Sequence, residues 1–556
     1  MDTIVTLLEK SCRTHSRRSA LLQKRAGRWE ETSYGALWSA SGRVAAALAE
    51  QGFRPGERAA LLAASSPLWL FCYLGILRAG GVVVPVDKEL KELEVSHILA
   101  HSEARALFVD DDRLEMILGM ADGLPQLGLL VRTSAPEDAS LPPCGRFRCA
   151  LLPLSELLRE RPATSCTPQP CDTALILYTS GTTGRSKGAT LSHANIVFNV
   201  LATARHLGVD QSVHTLSLLP INHVFEQVCG ILIPLSLGGK VSFCESLKKL
   251  GENIAEVQPS FFVGVPALYR MMLTRISKKI QENRLSRLMV ALPLTRTLVY
   301  SRVRKKLGDG TVFISGGAAL DPAISAGFAR FGVTLLQGYG ITETSPVIAA
   351  ESSAGARPGT VGRVLADVAL RIDAPDPGAV GEILVRGPNV MQGYFKDPLA
   401  TSRAIVDGWY RTGDLGRLDA DGFLQICGRV KSLIVTPNGK NVYPEEVENE
   451  ILKSPYVAEV VVYAGRSGPV QEEIRAIVYP NREALEEYAA GRGKHAIPEA
   501  ELEELLRSEV ARACASLASY KRVMKVTVSA DEFPKTTTRK IKRFEVEANL
   551  AERREH

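Results

Sequence analysis

Residues 178–188 read YTSGTTGRSKG and combine three glycines (181, 184 and 188), the hydroxyls of Thr179, Ser180, Thr182 and Thr183, and one cation, Lys187. Glycines at 181, 184 and 188 let the backbone approach an anion and turn its N–H groups inward, and the hydroxyls add donors. The segment is a candidate polyphosphate cradle, so a nucleotide is the expected ligand. It is not a Walker loop, because that motif places Ser or Thr directly after its Lys and this chain has Gly188 there. A flexible surface turn would have a similar composition, so the reading depends on what accompanies it.

Several constellations accompany it. QGYGITETSP, residues 337–346, sets Tyr339 between Gly338 and Gly340, a flat surface for a base, beside the Thr342 hydroxyl and the Glu343 carboxylate. Such a carboxylate can hold a Mg²⁺ that bridges phosphates. DGWYRTGDLG, residues 407–416, offers Asp414 in an expected turn between strands, where one carboxylate can take both ribose hydroxyls. GRVKSLIVTPNGKNVYPEEVE (428–448) and the basic FPKTTTRKIKR (533–543) follow in that order.

The elements that must position these residues alternate. The cradle follows the apolar run TALILY and precedes LSHANIVFNVLATARHLG, which predicts a buried strand, a loop and a helix opened by Ser192. VFIS, then a helix opened by Asp321 and Pro322, then VTLLQGYG repeats the theme. An α/β architecture is expected over residues 1 to about 425. Residues 134–171, rich in Pro, Ser and Cys, read as a surface connection, and 363–427 as a β-rich subdomain of short strands and turns. From Ala59 to Leu77 no charge occurs, long enough to span a bilayer, but Ser65, Ser66 and Pro67 split it into a strand and a helix begun by Pro67. The boundaries expected are a large N-terminal domain over 1–427, a hinge at 428–432 and a small α+β domain over 433–556.

Bulk properties narrow the function. At 556 residues more than one domain is expected, and a formal charge of +6 is too dilute to make nucleic acid the partner. Ten scattered cysteines without CxxC spacing or a Cys/His cluster suggest neither a disulfide framework nor a zinc site. MDTIVTLLEKSCRTHSRR lacks a secretion signal, so a cytoplasmic protein is expected. The stretch KKIQENRLSRLMVALPLTRTLVYSRVRKKLG has a single acid, Glu282, and reads either as a solvated helix pair or as a peripheral contact of residues 278–306 with the inner face of a membrane. Monomer and homodimer both remain open.

Taken together, YTSGTTGRSKG, GYGITETSP, GDLG with Asp414, GRVKS and TTTRKIKR resemble the adenylate-forming (AMP-binding) superfamily, and within it the bacterial long-chain fatty acyl-CoA synthetases. The resemblance runs from about residue 20 to Arg543. It implies stacked α/β sheets in a large domain, a mobile small domain, and two half-reactions: a carboxylate and ATP give acyl-adenylate and pyrophosphate, then a thiol displaces AMP. It further implies that residues Thr179 to Lys187 hold the β- and γ-phosphates, with Thr179 and Glu343 as Mg²⁺ ligands. Gly317, Ala318, Gln337, Gly338 and Tyr339 would line the adenine, Asp414 and Arg429 would grip the ribose, and Lys540 would be the catalytic lysine reaching the carboxylate and the α-phosphate. The bland alternative for Lys540 is one more exposed base beside Lys535, Arg539, Lys542 and Arg543.

Two positions depart from the usual pattern: Arg539 stands where Gly commonly precedes the lysine, and Lys431–Ser432 stand where many relatives carry a hinge Asp. LPINHVFEQ (219–227) resembles the long-chain pattern PLxHxFE, so the acyl site is expected near His223 and Phe225, with Val263 and Gly264 of FFVGVP as wall or as plain core. No Asp there suits an α-amino group, which favours an apolar fatty acid. Gly439 and Lys440 are the expected thiol-side face, for CoA by default or for an acyl carrier protein. A non-catalytic binder of the same fold is the remaining alternative.

Overall fold

The computed structural model describes residues 2–133, 149–162, 166–179, 186–353, 355–436, 440–467, 471–536 and 541–548. The chain forms two compact units, Met1–Leu370 with Val385–Tyr410, and Arg371–Leu384 with Arg411–His556.

The first unit is built on two large sheets. One has nine strands, and its interior runs parallel through Thr334–Gly340, Val312–Ser315, Phe261–Gly264, His214–Ser217, Lys240–Phe243 and Ser19–Arg25. The other has eight, with Thr173–Thr179, Val82–Pro85, Arg58–Leu62, Ala104–Val109, Leu129–Arg132 and Ala150–Pro153 parallel in that order. Parallel strands need crossovers and covered faces, which explains their near-continuous apolar runs.

Strand alternation sorts the side chains into layers. Ala59 and Leu61 of one sheet and Phe261 and Val263 of the other join a single central core, together with the helices Tyr34–Glu50, Pro67–Arg78 and His193–Leu207. Ala60 and Leu62 face the opposite way, onto the helices Glu92–Ser102 and Asp111–Met120. Phe262 likewise faces an outer core with the helices Leu250–Val257 and Pro322–Arg330. The apolar 59–77 run is therefore a strand and a core helix, and among the described residues no helix is long and apolar enough to cross a membrane.

Local signals place the ends of these elements. The Ser66 hydroxyl accepts from the Trp69 amide at 3.3 Å ahead of Pro67, and Asp321 caps Pro322–Arg330 through the Ala323 amide at 2.9 Å. Ser192 and Asn195 form a reciprocal capping box, the Ser192 amide donating to Asn195 Oδ1 at 2.8 Å and the Asn195 amide to Ser192 Oγ at 3.1 Å. Three expectations change. Ala150–Pro153 pairs at the sheet edge and Leu154–Leu157 forms a helical turn inside the expected surface connection, because Leu151 and Leu157 find buried places. The basic stretch forms three helices rather than two, Pro266–Glu282, Arg284–Ala291 and Pro293–Leu307, broken where Asn283 caps the second and Pro293 opens the third. In the 363–427 region, Arg363–Val364 and Gly393–Tyr394 are strands of the two large sheets.

The second unit holds an antiparallel pair, Val457–Ser467 with Gln471–Pro480, extended in parallel by Lys525–Val528 and packed against the helices Pro444–Ile451 and Glu499–Ala513. Within it the buried Glu448 takes the Val462 amide at 2.7 Å and the Arg543 guanidinium.

Replacing Ser192 by Ala removes one half of the capping box, and an equilibrium denaturation measurement is expected to show a loss of about 1 kcal/mol.

Candidate active site

Four adjacent parallel strands end together, and their carboxyl ends carry most of the expected ligand-binding residues. Gly264 is aligned with Ser315 and Ser315 with Gln337, while His214–Ser217 leads into LPINH. Gly317 and Ala318 lie just past Val312–Ser315, and Gln337, Gly338, Tyr339 and Gly340 finish their strand. Ligands of open α/β sheets bind at such strand ends. Gly317 adopts φ +81°, a conformation that favours glycine.

Beyond Gly340 the chain makes a tight loop through a 3₁₀ turn at Thr342–Thr344. A side chain at 340 would put its Cβ 2.1 Å from the Pro346 carbonyl oxygen, so only Gly fits. The Ile341 amide donates to that carbonyl at 3.1 Å and the Thr344 hydroxyl at 2.7 Å. Asn199, fully buried on the helix that Ser192 opens, clamps the loop's exit: its Nδ2 donates to the Val347 carbonyl at 2.8 Å and its Oδ1 accepts the Val347 amide at 3.2 Å. Glu343 and Thr342 are half-buried at the head of this loop.

The phosphate segment is a β-hairpin. Thr173–Thr179 pairs antiparallel with Lys187–Ser192, with Thr179 opposite Lys187, and the helix begins only after Ser192. The strand–loop–helix expectation is corrected here: Ala189 and Leu191 alternate into the central core and fix Lys187–Ser192 as a strand. Ser180, Gly181, Thr182, Thr183 and Gly184 lie outside the described residues. Gly393–Tyr394 adds a third strand to this hairpin, with the Phe395 amide on the Gly188 carbonyl at 2.7 Å.

Tyr394 joins the two parts of the site. Its hydroxyl donates to Glu343 Oε1 at 3.0 Å, and Lys187 Nζ lies 5.2 Å from the centroid of its ring. Behind it the Tyr410 hydroxyl donates to Tyr394. Burial, and then the Glu343 charge, push both phenols well above the ordinary tyrosine range, so both stay protonated donors. The result is a cation, Lys187, and an oriented carboxylate, Glu343, on either side of one aromatic ring. That arrangement suits a polyphosphate and its counter-ion.

In the acyl region, Phe225 packs over Gly316, where a Cβ would sit 2.7 Å from its ring, and His223 Nε2 lies 3.9 Å from Asp87 Oδ2. Burial lowers the His223 pKa, with Asp87 opposing. Val263 and Gly264 are buried strand residues. The next residue of the motif, Glu226, begins a π-helical turn, Glu226–Leu232, and is 1% exposed. Neither of its carboxyl oxygens has a hydrogen-bond partner, and they occupy the space a side chain at Gly230 would need. Burial raises its pKa to about 8, and the nearby Ser217 hydroxyl offsets little of that.

Asp414 and Arg429 belong to the second unit. Asp414 lies in the strand Trp409–Leu418, not in a turn, because the turn's work is done beside it by Gly413 at φ +70° and a register shift at Leu415/Gly416. It faces Arg429 across the ladder, the guanidinium Nε donating to Oδ1 at 2.7 Å. Lys440 closes the hairpin Ile434–Val435/Asn441–Val442 through backbone bonds with Thr436. Gly439, Arg539 and Lys540 lie outside the described residues. Sequence reasoning missed Tyr394, Tyr410 and Asn199. The first two stand 51 and 67 residues from Glu343, a separation no spacing rule spans, and Asn195–Asn199 on one helix face was the only local hint of the clamp.

The comparisons agree with this architecture. Residues 8–395 match the AMP-binding enzyme family and residues 431–554 the AMP-binding enzyme C-terminal domain. The chain belongs to this family of adenylate-forming acyl- and aryl-CoA ligases. It is similar to an indoleacetate–CoA ligase of Aromatoleum aromaticum, 31% identical over 534 residues that cover 94% of each chain. The long-chain-fatty-acid–CoA ligase FadD15 of Mycobacterium bovis is 30% identical over 471 residues, 80% of this chain and 76% of that one. Among solved structures, ATP-bound MatB from Rhodopseudomonas palustris superposes with TM-score 0.78 at 27% identity, covering 99% of each chain.

Two outcomes follow for this site. Asn199→Ala leaves the Val347 amide and carbonyl unsatisfied in the core and is expected to cost about 2–3 kcal/mol in a denaturant titration. Glu226 is neutral in the fold up to about pH 8 but ionises above its ordinary value of 4.5 when unfolded, so its contribution to stability is lost as pH rises between those values. Glu226→Gln, neutral throughout, is expected to gain on the wild type between pH 5 and pH 8 by an amount on the order of a few kcal/mol, read from melts at each pH.

Proposed function

We propose that this protein activates a medium- to long-chain fatty acid. The carboxylate attacks the α-phosphorus of ATP, acyl-adenylate forms and pyrophosphate leaves; the thiol of CoA then attacks the acyl carbon and AMP leaves. The observation that carries this reading is the Lys187–Tyr394–Glu343 cluster standing at the carboxyl ends of the parallel strands, in a chain of the AMP-binding family.

The chemistry brings anions together, so positioned cations lower its barrier more than proton transfer does. Thr179 and Lys187 face the triphosphate, and Glu343 and Thr179 would hold Mg²⁺, whose few protein ligands are completed by phosphate oxygens and water. One oriented carboxylate fits that requirement. Gly317, Ala318, Gln337, Gly338 and Tyr339 take the adenine, Asp414 and Arg429 the ribose, and Lys540 supplies the cation at the reacting carboxylate. Gly439 and Lys440 serve the thiol step.

Phe225, the buried Phe261–Gly264 strand and the absence of an Asp in LPINHVFEQ favour an apolar acid, because each buried methylene contributes roughly 0.8 kcal/mol. Similarity to an indoleacetate–CoA ligase across 94% of each chain supports a second reading, an arylacetic acid. CoA is the proposed acceptor, and an acyl carrier protein would present the same phosphopantetheine arm.

ATP–pyrophosphate exchange measured with acids from C2 to C18 and with indoleacetate tests the proposal. Exchange is expected to peak at medium to long alkyl chains, and to fall at least a hundredfold in Lys540→Ala and in Glu343→Gln. Undiminished exchange in Lys540→Ala, or none with any acid, overturns the adenylation reading; a maximum with indoleacetate replaces the fatty acid.

A further inference from the structure

The three helices Pro266–Glu282, Arg284–Ala291 and Pro293–Leu307 carry more than the net charge of the whole protein. Residues 266–307 contain eleven Lys and Arg against one acid, Glu282, a formal +10 where the complete chain has +6. Arg275, Lys279, Arg284, Arg287, Arg296 and Arg302 are all exposed.

The same helices expose leucine. Leu285 is 65% exposed, Leu288 63%, Leu292 52%, Leu294 90% and Leu298 56%. Leu285 and Leu288 are three apart and Leu292 four further on, one face of Arg284–Ala291 and its end; Leu294 and Leu298 are four apart on the next helix. Arg284–Ala291 has no buried residue at all, so packing against the protein does not explain why the segment is helical and amphipathic. Its fold is held locally instead, by Asn283 Oδ1 accepting the Ser286 amide at 2.9 Å and by the Thr295 hydroxyl donating to the Met289 carbonyl at 2.7 Å.

We propose that this face docks on an anionic lipid bilayer, the leucines entering the acyl boundary and the surrounding cations meeting phosphate headgroups. Charge selects this occupant over a second copy of the chain. A two-fold contact between copies would press +10 against +10, whereas an anionic leaflet is complementary to both the charge and the apolar stripe. The placement has a further consequence. The strand Phe261–Gly264 runs into the helix Pro266–Glu282 after one residue, and seventeen residues of helix span about 25 Å. One rigid element therefore has the candidate acyl wall at its start and the lipid-facing helices just past its end, which suits a carboxylic acid that partitions into membranes.

Flotation of the full-length protein with vesicles tests this, in the absence of acid and ATP so that it stands apart from the choice of substrate. Vesicles of 40% phosphatidylglycerol in phosphatidylcholine are expected to carry the protein at low salt, with at least tenfold less bound on phosphatidylcholine alone or in 0.5 M NaCl. A variant with Leu285, Leu288, Leu294 and Leu298 all changed to Ser is expected to lose binding tenfold or more while its circular dichroism and ATP–pyrophosphate exchange with a short, soluble acid stay at wild-type level. A second variant, Arg284→Gln with Arg287→Gln, Arg296→Gln and Arg302→Gln, should lose the preference for the anionic lipid. No flotation with anionic vesicles, equal binding by the serine variant, or a wild-type dimer that the serine variant converts to monomer would each overturn the proposal.

Discussion

The hydrogen bond from Tyr394 to Glu343 is the contact on which the site depends. The two residues come from different sheets of the first unit: Tyr394 from the strand that edges the phosphate hairpin, Glu343 from the loop that follows a central strand of the nine-stranded sheet. Each sheet could pack its own helices without the other. What sets the distance between hairpin and loop is this one phenol, held in turn by Tyr410 and kept protonated by burial. A charge-assisted hydrogen bond in a half-buried place is worth more than an ordinary surface contact, and it orients the carboxylate as well as holding it.

Around that contact the fold spends conformational freedom in a few places only. Gly340 is required because the returning chain passes too close for any Cβ, and Asn199 substitutes for a backbone partner that neither sheet provides to Val347. Both act on the same loop. Position of the catalytic carboxylate is thus decided by backbone packing several residues away, which is how a rigid scaffold holds a site on a loop.

The polar groups left inside tell a second story. Glu226 sits at the start of a π-helical turn with neither oxygen paired, next to the motif expected to meet the acyl group. Single π turns recur at functional sites, and an unpaired buried carboxyl is costly unless it stays neutral. Its raised pKa is the fold's answer to that cost.

Much was legible in the residues. The alternation of apolar runs and capped helices announced an α/β fold, and Ser192, Asp321 and Pro67 marked helix starts that the structure keeps, because capping and proline geometry are local. The types and order of Thr179, Lys187, Tyr339, Glu343, Asp414 and Lys540 pointed to nucleotide chemistry for the same reason: a chemical group is a property of one residue. What the residues could not disclose was partnership. Whether Lys187–Ser192 was strand or loop, whether Asp414 lay in a turn or across from Arg429, and that Tyr394 and Tyr410 stand behind Glu343 all depend on which strands pair and in what register. Register is a relation between segments hundreds of residues apart, fixed by burying whole faces at once, so only the tertiary structure decided it.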